Sequence, residues 1–399
     1  MMNLQKIKLG LNLCFNNYIK KSDNIALVVN TFDKGGLEQV VLNLYKQYRF
    51  SGHKAYILVQ EDLVGELAKY VDNPDDIYVF KKNTEKFLSF CYQHNIGVLH
   101  YHYNVFNLEK FKKLGFKIIY TLHNVYAWMS RSEISERARI LSHADHIVAV
   151  SSFVKQYFCK RTLFEPSKIK VIVNGINLEE ISKGTKYSNK RQEIGVQNRD
   201  IIFINLASFH RGKHQAIIIG AMEEVIKKRN DIKILYVGGK GDESYYNEIM
   251  DMLRRSSAHK NIIHAPYVPR EEMGSFLSEF GDALILPSLQ EGCSNAVLEA
   301  FCCGMPMIIS NVGNAQEMKG YESCLIVNTA YDDVVRLRPH EIVSLSKEMY
   351  TKNYRELASA ILNMAEQIDE YKQKAVLSKM KADLFSDVYM ARQYIELLK

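Results

Sequence analysis

The sequence predicts an α/β fold in which two doubly wound, Rossmann-like domains face each other across a cleft. Three observations carry that expectation: the length of 399 residues, a strand-then-helix alternation, and one polar stretch after which the alternation restarts. Roughly 100–200 residues fill one ordinary core, so this length implies two. Runs apolar on both faces, separated by segments of helical spacing, indicate parallel sheet covered on both sides.

Element by element, the N-terminal stretch MMNLQKIKLGLNLCFNNYIKK has basic flanks, but Asn12, Asn16 and Asn17 break its apolar run. It reads as a short extension before the first strand, not as a signal peptide. Strands are then expected at 24–30, 54–60, 97–102, 117–123, 146–151 and 168–175, with a helix over 37–48. The polar stretch at 179–200 carries few large apolar residues and is the expected linker. Strands follow at 201–208, 232–239, 261–268, 282–288, 305–310 and 322–327, and the last ~50 residues read as helix. The expected domains are therefore 1–190 and 196–379, with the segment 380–399 joining the first.

Composition excludes several classes of function. The 47% apolar and 24% charged residues are those of a globular chain, not of a disordered or fibrous one. Seven cysteines, odd in number and without a C-x-x-C pair, argue against a disulfide framework or zinc knuckle and for a reducing, cytoplasmic setting. No run reaches the ~18 apolar residues of a membrane span. A net charge of +7 suits anionic small molecules or an anionic membrane surface. No nucleic-acid motif accompanies the dispersed basic residues, so nucleic acid is not an expected partner.

The segment 291-EGCSNAVLEAFCCGMPMIIS-310 carries the chemistry. Ser294 or Asn295 is a suitable N-cap, Ala296 to Cys303 a short helix, and Gly304 its stop. Glu291 precedes this helix and Glu299 lies within it; eight fully helical positions would span about 12 Å. The helix N-terminus between them offers free N–H groups to a diphosphate. Against this stands the reading that both glutamates are ordinary surface carboxylates.

This segment resembles the signature of glycosyltransferase family 4, also called glycosyltransferase group 1, whose members are retaining GT-B enzymes. The resemblance extends over most of the chain, through KGGLEQVVLNL (34–44), TLHN (121–124), ADHIVAVSSFVKQYF (144–158), KVIVNGIN (170–177), NLASFHRGKHQ (205–215), YVGGKGDE (236–243), 287–317 and FSDVYMARQYIELL (385–398). It implies a GT-B architecture and a hexosyltransferase activity on a nucleotide-sugar donor. Residue by residue, it implies that Glu299 binds the ribose hydroxyls and that Glu291 lies by the transferred sugar. Gly292, Cys293, Ser294 and Asn295 would supply donors near sugar and phosphate. Lys213 would sit on the diphosphate and His123 would hydrogen-bond the donor sugar. Gly35 and Gly36 would allow close backbone approach, and backbone at Tyr267 and Val268 would hold the base.

One position departs from the family pattern. An arginine commonly stands five residues before the lysine, and here that position is Ser208. Arg211, two residues before Lys213, is one source of the missing charge; the alternative is that leaving-group stabilisation rests on Lys213 and the helix end alone. Other chemistries find less support. His100 and His102 share a strand face without a third ligand, and His210 and His214 lack the glutamate of H-E-x-x-H, so no metal is expected. Gly238, Gly239 and Gly241 do not complete a dinucleotide fingerprint, because Ser244 takes the last position. There is no P-loop and no D-x-D triplet, and no cofactor is expected.

Retention of configuration, implied by the resemblance, is expected through front-face attack, in which the departing phosphate oxygen takes the acceptor's proton. The donor is expected to be a UDP-sugar carrying a hexose or N-acetylhexosamine. The acceptor is expected to be a glycan or lipid-linked oligosaccharide of a surface polysaccharide. Trp128 is a candidate for the acceptor pocket. Lys110, Phe111, Lys112 and Lys113 are a candidate for peripheral contact with an anionic membrane, weighed against a solvated helix face. The alternatives are a catalytically inactive partner subunit of the same fold, which Ser208 favours, and a nucleotide-sugar epimerase.

Overall fold

The structure is a computed structural model that describes residues 22–183, 186–187, 191–265 and 268–399. The expected N-terminal extension lies outside the described residues. The first sheet contains β1 (Asn24–Val29), β2 (Ala55–Val59), β3 (Ile77–Val79), β4 (Ile96–His102), β5 (Lys117–Leu122), β6 (His146–Ala149) and β7 (Ile169–Val171), in the order β3-β2-β1-β4-β5-β6-β7. The second contains β8 (Ile201–Leu206), β9 (Ile232–Val237), β10 (Ile262–His264), β11 (Ala283–Leu286), β12 (Met307–Ser310) and β13 (Cys324–Val327), in the order β10-β9-β8-β11-β12-β13. The strands of each sheet run parallel throughout.

Alternation along each strand divides the core. Ile25, Leu27 and Val29 enter one buried cluster while Ala26 and Val28 enter the cluster on the opposite face. Phe203 of β8 faces one side, and Ile202 and Ile204 the other. Both faces are dry, which is why these strands read as near-continuous apolar runs. Helix α1 (Gly36–Phe50) covers the first of these faces with Val40, Val41 and Leu44. Beside it lies the C-terminal helix, whose Met390, Ala391 and Tyr394 join the same cluster.

The chain crosses between sheets twice, just after β7 and just before the C-terminal helix. The crossings are hydrogen-bonded to each other, Ile176 N to the Phe385 carbonyl at 2.8 Å and Asp387 N to the Ile176 carbonyl at 2.9 Å. Within the described part of the expected linker, Tyr187 and Val196 are buried in the core of the second sheet. One strand was not anticipated. β3 is three half-buried residues at the sheet edge, too short to leave an apolar run.

The basic helix Leu108–Lys113 corrects a sequence expectation. Phe111 is fully buried and stacks on Phe87 at 4.6 Å, so it offers nothing to a membrane. Lys112 and Lys113 are paired with Asp145 and Glu109. Among the described residues no helix is long and apolar enough to cross a membrane.

Candidate active site in the interdomain cleft

In each sheet the strand order reverses at one place, between β1 and β4 and between β8 and β11. The loops that leave such a switch point diverge and open a crevice at the carboxyl ends of the strands. The Gly35–Gly36 turn follows β1 and Tyr103 follows β4; Lys213 follows β8 and Glu291 follows β11. Two cavities fill the space between these loops. The smaller, about 530 Å³, is lined among others by Tyr103, His123, Ser208, Lys213, Glu291 and Gly292. The larger, about 710 Å³, is lined among others by Glu180, Val268, Arg270 and Glu299. Gly35, Gly36 and Asn295 line both, and Asn295 Nδ2 donates to the Gly36 carbonyl at 3.0 Å, forming the wall between them.

Within the smaller cavity, Lys213 ends the short turn Arg211–Lys213, and its Nζ lies 2.6 Å from Glu291 Oε1. Ser288 donates to the same oxygen at 2.7 Å, leaving Glu291 Oε2 without a partner among the described residues. Across the cleft, His123 is neutral, because burial lowers its pKa to about 3. Helix α2 (Ser152–Thr162) borders the cleft from the first domain. Helix α3 (Asn295–Cys303) points its N-terminus toward the cleft from the second. Ser294 is its N-cap residue but makes no side-chain cap, so first-turn N–H groups remain open to a ligand. The helix begins at Asn295, so only the last half of the interval from Glu291 to Glu299 is helical. Gly304 ends the helix in the left-handed conformation, φ 75°.

Glu299 faces the larger cavity. Burial raises its carboxyl to about 7, the nearby Arg270 guanidinium opposes that rise, and Glu180 adds to it. Arg270 pairs with Glu180, 2.8 Å from Nη2 to Oε2, and its guanidinium lies 5.9 Å from the Tyr70 ring of the first domain. Gly292 marks the tightest approach of the domains. A Cβ there would lie 1.8 Å from the His123 carbonyl oxygen, so only glycine fits. Its own carbonyl accepts from the buried Ser151 hydroxyl at 2.7 Å.

The structure thus gathers His123, Lys213, Glu291, Gly292, Cys293, Ser294, Asn295, Gly35 and Gly36 around the smaller cavity, with Val268 and Glu299 around the larger. Tyr267 lies outside the described residues. Arg211 is a correction. Its Nη1 and Nη2 bond the Glu248 carboxylate at 3.1 Å each, its Nε lies 3.4 Å from Asp242, and its guanidinium covers the Tyr245 ring. It lines neither cavity, and Ser208 stands where the second cation was expected. Trp128 also lines neither; it packs edge-on against Tyr126 at 5.5 Å. His100 and His102 are fully buried and hydrogen-bonded within the first domain. Among the described residues no group of three or more His, Cys, Asp or Glu could hold a metal ion. Sequence reasoning gave no role to Tyr103, Ser151, Asn174 and Ser288, although the last three lie in blocks resembling the family; the fold brings them to the cleft.

Two parallel sheets of seven and six strands, opposed across a cleft lined by a cation, two acidic residues and an open helix N-terminus, have the architecture of a GT-B glycosyltransferase. The chain belongs to the group 1 glycosyltransferases. A family model described as Glycosyltransferase Family 4 matches residues 34–180, and one described as Glycosyl transferases group 1 matches residues 186–336. The chain is 27% identical to an uncharacterised glycosyltransferase of Methanocaldococcus jannaschii, over 44% of this chain and 45% of that one, so it spans about half that relative's length. It is 22% identical to a subunit of the phosphatidylinositol N-acetylglucosaminyltransferase of Saccharomyces cerevisiae, over 84% of this chain and 79% of the other. It is 23% identical to the UDP-Gal:alpha-D-GlcNAc-diphosphoundecaprenol alpha-1,3-galactosyltransferase of Escherichia coli, over 67% and 66%. Among solved structures, Anabaena HepE in complex with UDP superposes with a TM-score of 0.73 at 16% identity, over 94% of this chain and 99% of that one. A glycosyltransferase from Rickettsia africae gives 0.74 at 19% identity, over 95% and 98%.

Proposed function

We propose that this enzyme transfers a hexose or N-acetylhexosamine, with retention, from a UDP-sugar to a lipid-linked or glycan acceptor at the inner face of a membrane. The Lys213–Glu291 pair carries the reading: a cation at 2.6 Å from a carboxylate, beside an open helix N-terminus and opposite a neutral histidine. A diphosphate placed between Lys213 and α3 draws the ammonium away from Glu291 and frees that carboxylate for the hydroxyls of the sugar. Glu299, in the adjoining cavity, takes the ribose, and backbone around Val268 takes the base. The bond from the anomeric carbon to the phosphate oxygen breaks as the acceptor oxygen bonds to the same face. The acceptor's proton passes to the departing phosphate. The protein supplies position and electrostatic stabilisation of the leaving group. With Arg211 committed elsewhere, that stabilisation rests on Lys213 and the helix end.

The relatives that name a UDP-sugar donor or a diphosphate-linked lipid acceptor support this choice of substrates. The test is a transfer assay with UDP-glucose, UDP-galactose and their N-acetyl forms against a lipid-diphosphate-linked N-acetylglucosamine, with the product anomer assigned by NMR. Lys213→Ala is expected to lower kcat/KM by roughly 100- to 1,000-fold, the usual loss for one charge-stabilising donor. Glu299→Ala is expected to lose donor affinity with unchanged circular dichroism. Near-normal rates in both variants, measured with the active donor, would overturn the assignment.

A further inference from the structure

Behind His123 lies a second imidazole that the reaction as described does not use. His102 ends β4 and is fully buried, and its Nδ1 lies 2.8 Å from His123 Nε2. The strands make the pairing unavoidable. His100 and His102 share one face of β4, Thr121 and His123 continue the same face along β5, and the ladder sets His102 opposite Thr121. His100 is spoken for on both ring nitrogens, with Tyr48 Oη at 3.2 Å and Thr121 Oγ1 at 2.8 Å, and Thr121 is in turn 3.0 Å from Tyr394 Oη. His102 differs: its Nε2 is buried and without a partner among the described residues. Among the described residues His123 has a ring partner at Nε2 alone, while its ring lines the smaller cavity.

Burial keeps both imidazoles neutral, so each carries one ring proton. Two arrangements satisfy the 2.8 Å contact. In one, His123 Nε2–H donates to His102 Nδ1, and the proton of His102 then sits on Nε2 as a buried N–H with no acceptor. In the other, His102 Nδ1–H donates to His123 Nε2, and the unpartnered atom of His102 is a bare lone pair. Buried N–H groups without an acceptor are rarer than under-used acceptors, so the second arrangement is the favoured one. It places the proton of His123 on Nδ1, the nitrogen with no protein partner.

We propose that His102 is a positioning residue, whose Nδ1–H holds His123 in the Nδ1-protonated tautomer so that His123 presents a hydrogen-bond donor to a hydroxyl of the transferred sugar. This rests on the reading of His123 as a contact to that sugar. The geometry is the hydrogen-bonded logic by which an outer residue fixes the tautomer of an inner imidazole.

The test compares the wild type with His102→Asn, His102→Leu, His123→Ala and the double variant His102→Leu/His123→Ala. Nitrogen-15 NMR of histidine-labelled protein reads the tautomer directly, and steady-state kinetics with the active UDP-sugar reads its consequence. The asparagine amide retains a donor near the position of Nδ1; leucine does not. Expected are an Nδ1-protonated His123 in the wild type and the asparagine variant, and a mixture with the Nε2–H form in the leucine variant. In His102→Leu kcat is expected to fall about 10- to 100-fold, the range for outer residues that orient an inner one, with donor KM little changed. His102→Asn should recover most of that loss, and His102→Leu should add nothing once His123 is alanine. An Nδ1-protonated His123 that persists in His102→Leu overturns the proposal, as does an equal loss of kcat with His123 absent. Unchanged rates in His123→Ala overturn instead the reading of His123 as a sugar contact, and the NMR arm still decides whether His102 sets the tautomer.

Discussion

Burial pushes the Glu299 carboxyl up to about 7 from its ordinary 4.5, Arg270 pulls it back and Glu180 adds to the rise. The sign of the consequence follows. Between those two values the unfolded chain is ionised while the folded one still holds its proton. The contribution of this group to stability is therefore full below 4.5 and is lost as pH rises through 7. Wild type should lose melting temperature from pH 5 to pH 8 more steeply than Glu299→Gln, the difference between the two isolating this residue from all others. UDP binding should run the opposite way, because an ionised carboxylate accepts from both ribose hydroxyls: affinity rises over pH 6 to 8 in the wild type and stays flat in the glutamine variant. Equal slopes for the two proteins by calorimetry and by binding would dispose of the idea. Glu291 and Glu299 stood out by their place about the helix and Lys213 by the family resemblance, and the structure places all three at the cleft. The sequence left Arg211 open between two readings, and the structure favours one: in the tight turn Arg211–Lys213, side chains two apart diverge, and the nearer carboxylates of Glu248 and Asp242 claim the guanidinium.

At the scale of elements, the strands announced themselves because both faces of each sheet are covered. β3 escaped, being an edge strand of three residues with no buried face of its own. The loop–helix unit before and through α3 shows why a motif legible in sequence still needs the fold. Gly292 looked like a backbone donor to phosphate, and the structure adds that it is the point where the second domain rests on the His123 carbonyl. Two glycines flanking this helix therefore make a paired prediction. Gly292→Ala forces the domains apart, since a Cβ 1.8 Å from a carbonyl oxygen has no soft neighbour to displace. Its expected signature is a fall in kcat/KM of about tenfold or more with a modest loss of stability, about 1–3 kcal/mol as for overpacking. Gly304→Ala strains the left-handed helix end, at about 1 kcal/mol, and meets the Lys379 side chain at 3.3 Å, away from the cleft, so it should leave kcat/KM unchanged. The reverse ranking in activity would show that Gly292 is spacing within one domain and not a contact between two.

Across the whole molecule, two kinds of contact join the domains, and they are not equivalent. At one end the crossing segments pair backbone to backbone at Ile176 and Ser386, and the C-terminal helix buries Tyr394 against the first sheet. That end is buried and covalently continuous, the character of a hinge, with Asn43 and Gln47 bonding Gly175 and Asp387 there. On the cleft side, polar contacts stand beside an apolar one, in which Leu289, Ala330, Val334, Leu337 and Ile342 of the second domain join the core cluster of the first. Ser151 donates to the Gly292 carbonyl, Asn174 reaches Cys293 and Asn295 at 3.3 Å, and Asn295 reaches Gly36. Ser152 N, the first residue of α2, donates to Glu317 Oε1 at 2.7 Å, so a carboxylate of the second domain sits at a helix N-terminus of the first. Such a charge-assisted bond is worth about 1.5–3 kcal/mol, enough to bias a two-state opening. Glu317 touches neither Lys213 nor the cavities, which separates its effect from chemistry. Glu317→Ala should therefore raise the radius of gyration of the ligand-free protein in small-angle scattering, and saturating UDP should restore the compact profile. The affinity for UDP should fall by the same factor as the closed population, because ligand binding must then drive the closure. Scattering profiles and UDP affinities identical to the wild type would mean that the other interdomain contacts hold the domains without the Glu317 bond.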